Sequence, residues 1–161
     1  MPHLLIIYHS RTGGSHQMAK AAANAAQEEI EVVMLPADKA GPGDLLAADG
    51  YIFCGPENLA AISGVMKDFF DRSYYPVLGR IEGRPYAVMV CAGSDGENAV
   101  RQITRIATGW RLKEVQPSLI VCTHAQTPEK IMAEKTILRE DLEKCRDIGM
   151  ALGAGIAMGA F

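Results

Sequence analysis

Short apolar runs without a polar interruption alternate with amphipathic stretches along the whole of this 161-residue chain. A run such as Leu4-Leu5-Ile6-Ile7-Tyr8 is apolar at every position and must be covered on both sides, the condition of a strand inside a parallel sheet. The runs predict strands near 3–9, 30–35, 50–54, 85–91 and 116–122. Helical patterns fall near 15–28, 62–73, 96–109 and 129–159, and the stripe of the last loses register between Ala133 and Leu138, which leaves a break there open. Met18, Ala21, Ala22 and Ala25 share one face of the first, and Ile62, Val65, Met66, Phe69 and Phe70 follow helical spacing in the second. The turn-rich segment 36–49 has room for only a short helix. Strict alternation predicts a three-layer α/β fold with a doubly wound, five-stranded parallel sheet in the order 2-1-3-4-5. The length suits one domain, residues 1–161.

A sheet wound in that order places its ligand crevice at the carboxyl ends of the strands, where strands 1 and 3 part. The loops after strands 1, 3 and 4 then carry the chemistry. The first is Ser10-Arg11-Thr12-Gly13-Gly14-Ser15. Its three hydroxyls, and the free N–H groups of a helix that starts directly afterwards, suit a phosphate. The same residues equally suit a tight strand-to-helix turn with an N-cap. No Lys-Ser or Lys-Thr pair follows, so this is not the P-loop of nucleoside triphosphatases, and the glycines of a dinucleotide fingerprint are missing. In the second loop, Gly55-Pro56 ends the strand and leaves about seven residues free before the next helix, among them Pro56, Glu57, Asn58, Leu59 and Ala60. The third, with Ala92, Gly93, Ser94, Asp95 and Gly96, lets the backbone approach a flat ligand closely, or is an ordinary Asp-Gly turn.

Net charge is −3, with 48% hydrophobic and 22% charged residues, which gives no basic surface for nucleic acid or anionic membrane. The four cysteines have no metal-ligand spacing, and three of them close apolar runs, which suits buried residues in a reducing cytosol. A cytoplasmic location is expected, with no metal site. Ile148 to Phe161 is uncharged but only fourteen residues long, short of a membrane span, and is expected to be a buried helix end. Its glycines and alanines would allow close packing against the sheet or against a second subunit, so a homodimer is open. A phosphatase would need Cys and Arg six residues apart. The sixth residue after Cys54, Cys91 and Cys122 is Ala60, Glu97 and Pro128. A response regulator would need clustered acids after strand 1, where this chain has His9.

Strand 1 with Ser10-Arg11-Thr12-Gly13-x-Ser15 resembles the FMN phosphate loop of flavodoxin-like proteins. The run Ser63-Gly64-Val65-Met66-Lys67-Asp68-Phe69-Phe70-Asp71-Arg72 is similar to the helix after the second flavin loop in their NAD(P)H-dependent reductase and quinone reductase branch. The resemblance implies a flavodoxin-like fold and non-covalent FMN. Residues 10–15 would hold the phosphate, Pro56 to Ala60 would cover one edge or face of the ring, and Ala92 to Gly96 would cover another. Main-chain amides of the third loop would bond the ring's carbonyl side. Electrons would pass from NAD(P)H through FMN to a quinone, another small molecule or a redox protein, and no catalytic acid or base is assigned. Carrier flavodoxins usually stack aromatic residues on the flavin and are strongly acidic. This chain has no aromatic residue in either loop and is nearly neutral, which favours a reductase. An electron-transfer carrier, or a partner-binding module without cofactor, is the alternative.

Glu57, awkward beside a reduced flavin, is expected to face solvent. His9, His16 and His124 stand near the crevice edge, and His16 is the one placed to touch a ligand. Trp110 is expected to pack, Tyr74-Tyr75-Pro76 to form a surface turn, and Glu134 to Arg146 to be a solvated helix face.

Overall fold

The computed structural model describes residues 1–161. Its central strands are β1 (His3–Tyr8), β2 (Glu31–Pro36), β3 (Gly50–Asn58) and β5 (Pro85–Ala92), all parallel, in the order β2-β1-β3-β5. The far edge is divided between β6 (Lys113–Glu114) and β7 (Leu119–Cys122), both paired with β5. Pro85 pairs with Lys113 but Met89 with Leu119, so two extra residues interrupt the ladder, beside Pro117, which has no N–H to contribute. With this strand counted once, the expected order 2-1-3-4-5 holds. A two-residue antiparallel strand, β4 (Ala61–Ile62), is added to the end of β3.

Alternation along each strand separates two cores. Leu5 and Ile7 of β1, with Tyr51 and Phe53 of β3, join Phe69, Phe70 and Trp110 under α3 (Gly64–Val77) and α4 (Glu97–Gly109). Leu4, Ile6, Ile52 and Cys54 face the other way, under α1 (Gly14–Ala26) and α6 (Arg139–Met158). The first face is aromatic. The second holds no buried aromatic residue and many small ones among its aliphatics, and α1 and α6 cross closely there: a β-carbon on Gly149 would overlap the Ala22 carbonyl, and one on Gly153 would lie 3.1 Å from the Ala26 carbonyl oxygen. The close packing foreseen for the C-terminal glycines is thus spent on α1, within the chain.

Several expectations need correction. The pattern over 129–159 is two helices, α5 (Pro128–Met132) and α6, and it breaks where its stripe loses register, in an extended strap at 133–138. α6 is buried only as far as Gly155, and its last turn, with Met158, is exposed. Tyr74, Tyr75 and Pro76 are the last turn of α3 and not a surface turn. Trp110 packs as expected: fully buried, it stacks on Tyr74 at 5.6 Å and donates its indole N–H to the Tyr74 carbonyl. The short helix foreseen within 36–49 is α2 (Pro42–Ala47). No helix is long and apolar enough to cross a membrane.

Candidate functional site

At the carboxyl end of β1 the chain turns through Ser10–Gly13 into α1. Ser10 Oγ accepts from the Gly13 amide at 3.1 Å, and Gly13 takes φ 97°, a left-handed conformation natural to glycine. Within α1 the first main-chain bond runs from Gln17 N to Gly13 O. The amides of Gly14, Ser15 and His16 therefore point out of the helix end without an acceptor, as helix geometry requires. Ser15 is 2% exposed, and its hydroxyl has no hydrogen-bond partner. Burying a hydroxyl without a partner costs about 1–3 kcal/mol, a cost that a polar group held by the turn would recover. Gly14 lies so close to β5 that a β-carbon there would come 2.7 Å from Cys91 Sγ.

A cleft of about 80 Å³ opens over this turn, lined by Ser10, Arg11, Thr12, Gly14, Ser15, Pro56, Asn58, Cys91, Ile131 and Met132. The volume suits a phosphate-sized group. Three of the lining residues had no signal in their favour. Cys91 reads as the end of a buried strand, while Ile131 and Met132 fall within the helical pattern at 129–159. They reach the cleft because the chain breaks after Met132. The break itself is local chemistry against tertiary bonding: Lys135 N donates to Thr12 O at 2.8 Å, and Ile137 N donates to Gln17 Oε1 at 3.0 Å. These bonds hold the strap on the phosphate-like turn in place of helical ones. Lys135, expected on a solvated helix face, is instead half-buried with its ammonium 3.3 Å from Thr12 Oγ1.

The second loop is no loose loop. β3 runs through Gly55 and Pro56, which pair with Val90 and Cys91, and folds back on itself as a hairpin with β4. Leu59 and Ala60 form its two-residue turn at φ 51° and 64°, the geometry that usually calls for Asn-Gly. Two α4 side chains brace the hairpin. Asn98 Nδ2 donates to Ala60 O, and Gln102 Oε1 accepts from Ile62 N at 2.8 Å. Leu59 stands fully exposed at the tip, and Ala60 beside it is exposed too.

Glu57 does not face solvent. Its carboxylate accepts from Gly96 N at 2.8 Å and from Ala99 N at 3.1 Å, and so caps α4. The positive end of that helix absorbs the charge, which removes the conflict expected beside a reduced flavin. It also occupies the Gly96 amide, so that donor of the third loop is not free for a ligand. Ser94 and Asp95 are exposed, and their amides have no acceptor in the chain. Ala92 is buried at the end of β5, and Gly93 O accepts from His124 N at 2.8 Å. The third loop thus stands beside the cleft without lining it.

Burial disfavours the charged forms of His9 and of three cysteines near the site. His9 Nδ1 lies 2.8 Å from Ser63 Oγ, which accepts in turn from Met66 N at the start of α3. Burial lowers the His9 pKa, with Asp38 pulling it up and Arg11 pushing it down. The hydroxyl can therefore donate to a neutral ring. Burial pushes the Cys91 thiol up to about 11, against the pull of Lys135, raises Cys145 to about 12 and lifts Cys54 well above its usual value. None is a thiolate nucleophile. His16 is exposed and meets the edge of Tyr8 at 5.3 Å, and His124 is also exposed.

Comparison with known proteins agrees with this geometry. The model of the NADPH-dependent FMN reductase family matches residues 43–126, which include the second and third loops but not the first. A curated flavodoxin from Aquifex aeolicus is 35% identical over 98 residues, 60% of this chain and about half, 53%, of that protein. Among solved structures, a flavodoxin from Streptococcus pneumoniae TIGR4 superposes with a TM-score of 0.77 at 18% identity, covering 96% of this chain and 99% of that one. A WrbA-like flavodoxin from Agrobacterium tumefaciens gives 0.70 at 22% identity, covering 99% and 98%. The fold is flavodoxin-like, and FMN is the cofactor of the family. The free amides of α1 and the unpartnered Ser15 hydroxyl fit its monophosphate. The chain belongs to the NADPH-dependent FMN reductase family of flavodoxin-like proteins.

Proposed function

We propose that this chain is an FMN-dependent oxidoreductase that takes electrons from NADPH or NADH and passes them to a quinone or another small acceptor. The observation that carries the reading is the buried Ser15 hydroxyl without a partner, set among the unused amides of Gly14, Ser15 and His16. Thr12 and Ser10 complete that cradle on its cleft side. FMN, when bound, supplies the redox chemistry, and the protein supplies position and electrostatics. Pro56 and Asn58 stand on the hairpin side of the cleft, and Ile131 and Met132 bring apolar surface to the opposite rim. The exposed amides of Ser94 and Asp95 can donate to an electron-rich edge of the ring, as donors do in an oxyanion hole. Because α4 neutralises Glu57, no unbalanced carboxylate opposes charge gained there.

The rim supports an enzyme over a carrier. It is aliphatic and open, with Leu59 fully exposed, and a net charge of −3 gives little electrostatic steering toward a protein partner. The similarity to a protein named flavodoxin favours the carrier as the second reading. The test is to load the protein with FMN and follow NADPH and NADH oxidation across a panel of quinones. Turnover that requires both protein and FMN is expected. Stable FMN binding without any nicotinamide oxidation would replace the enzyme with the carrier.

A further inference from the structure

We propose that the Lys135 ammonium, standing behind Thr12, supplies the positive charge that makes this site select phosphorylated flavin over riboflavin. The inference rests on the reading that loop Ser10–Ser15 holds the FMN phosphate. That loop supplies neutral donors of its own and one cation, Arg11, which stands on the cleft's rim and is exposed to water. A phosphate dianion in a partly enclosed cleft is held far more firmly when a cation stands against it.

The strap supplies one from 123 residues further along the chain. The Lys135 ammonium lies 3.3 Å from Thr12 Oγ1, 2.8 Å from Ile131 O and 2.6 Å from Ala133 O. These three acceptors take all three N–H groups of the ammonium and fix it behind Thr12, so its charge reaches an anion in the cleft through Thr12 and through space. Thr12, polarised by the ammonium, can turn its own O–H toward the phosphate. The strap does not depend on the ammonium for its position. Lys135 N donates to Thr12 O, Gln17 Nε2 donates to Lys135 O at 2.7 Å, and Gln17 Oε1 accepts from Ile137 N. These bonds survive removal of the side-chain charge. An ordinary lysine on a solvated helix face would show none of this fastening.

The test titrates the full chain with FMN and with riboflavin by quenching of flavin fluorescence, for the wild type, Lys135→Met, Lys135→Gln and Lys135→Arg. Loss of a nearby charge that acts without a direct bond predicts that Lys135→Met and Lys135→Gln weaken FMN binding about tenfold and leave riboflavin unchanged. Lys135→Arg is expected to retain most of the preference. Wild-type affinity for FMN should fall with added salt, and that of Lys135→Met should fall less. Equal loss for both ligands would mean that Lys135 only supports the strap, and would overturn the inference, as would no loss for either. A wild type that binds FMN no better than riboflavin would instead overturn the phosphate reading beneath it.

Discussion

Glu57 sits where a carboxylate looks least welcome, at the rim of a site for an electron-rich ring, and is reconciled by two amides of α4. Capping and the helix dipole together give the pair a worth of about 1 kcal/mol. Glu57→Gln keeps one acceptor and loses the charge, so a loss of about 1 kcal/mol in urea denaturation is expected. An unchanged midpoint would mean that the cap contributes nothing. His9 gives a pH dependence of definite sign. Its folded pKa lies below the ordinary 6.5 because burial penalises the charged ring, so the unfolded chain binds more protons between the two values. Stability is then fully present above 6.5 and declines as pH falls from there toward the lowered pKa. Urea midpoints measured across this window should fall with pH in the wild type and fall less in His9→Gln. Equal slopes would remove His9 from the account. Neither partnership was legible beforehand: nothing in Glu57 or His9 names an acceptor or donor 39 or 54 residues away.

The four central strands declared themselves because each is buried on both faces, and every position in Leu4–Ile7 is apolar for that reason. The extension of β3 through Gly55-Pro56 was hidden, since that pair normally ends a strand. It is permitted here because β1 pairs with β3 only as far as Cys54, beyond which one edge of β3 is free to hold a proline. The Leu59–Ala60 turn was hidden too, as neither residue favours a positive φ; the α4 side chains Asn98 and Gln102 brace the hairpin around it. The strap at 133–138 showed in the sequence only as a loss of register in the apolar stripe between Ala133 and Leu138; its docking was hidden, because its main-chain bonds go to the distant Thr12 and Gln17. The crossing of α1 and α6 offers a clean test at this scale. Gly149→Ala would normally help a helix by about 0.5–1 kcal/mol. Here it forces a methyl into the Ala22 carbonyl, and overpacking predicts a net loss of about 1–3 kcal/mol by chemical denaturation. A stabilised variant would mean that the two helices are not held at this distance.

Across the whole molecule, the two cores have different tasks. The aromatic core under α3 and α4 anchors the hairpin and the third loop, because Glu57, Asn98 and Gln102 all link β3 and β4 to α4. The small-residue core lets α6 and the strap come close to α1, which brings Lys135 and Gln17 to the first loop. The sheet places both sets at its carboxyl end. The crevice was therefore foreseeable from strand order alone, whereas its strap-side rim was not.

Ser15→Ala tests the central claim most directly. The substitution removes the buried hydroxyl that has no partner within the chain, and FMN affinity is read by fluorescence titration beside the wild type. The account predicts saturable binding by the wild type and binding weaker by about tenfold in the variant. Equal affinities, or no saturable binding by the wild type, would contradict it.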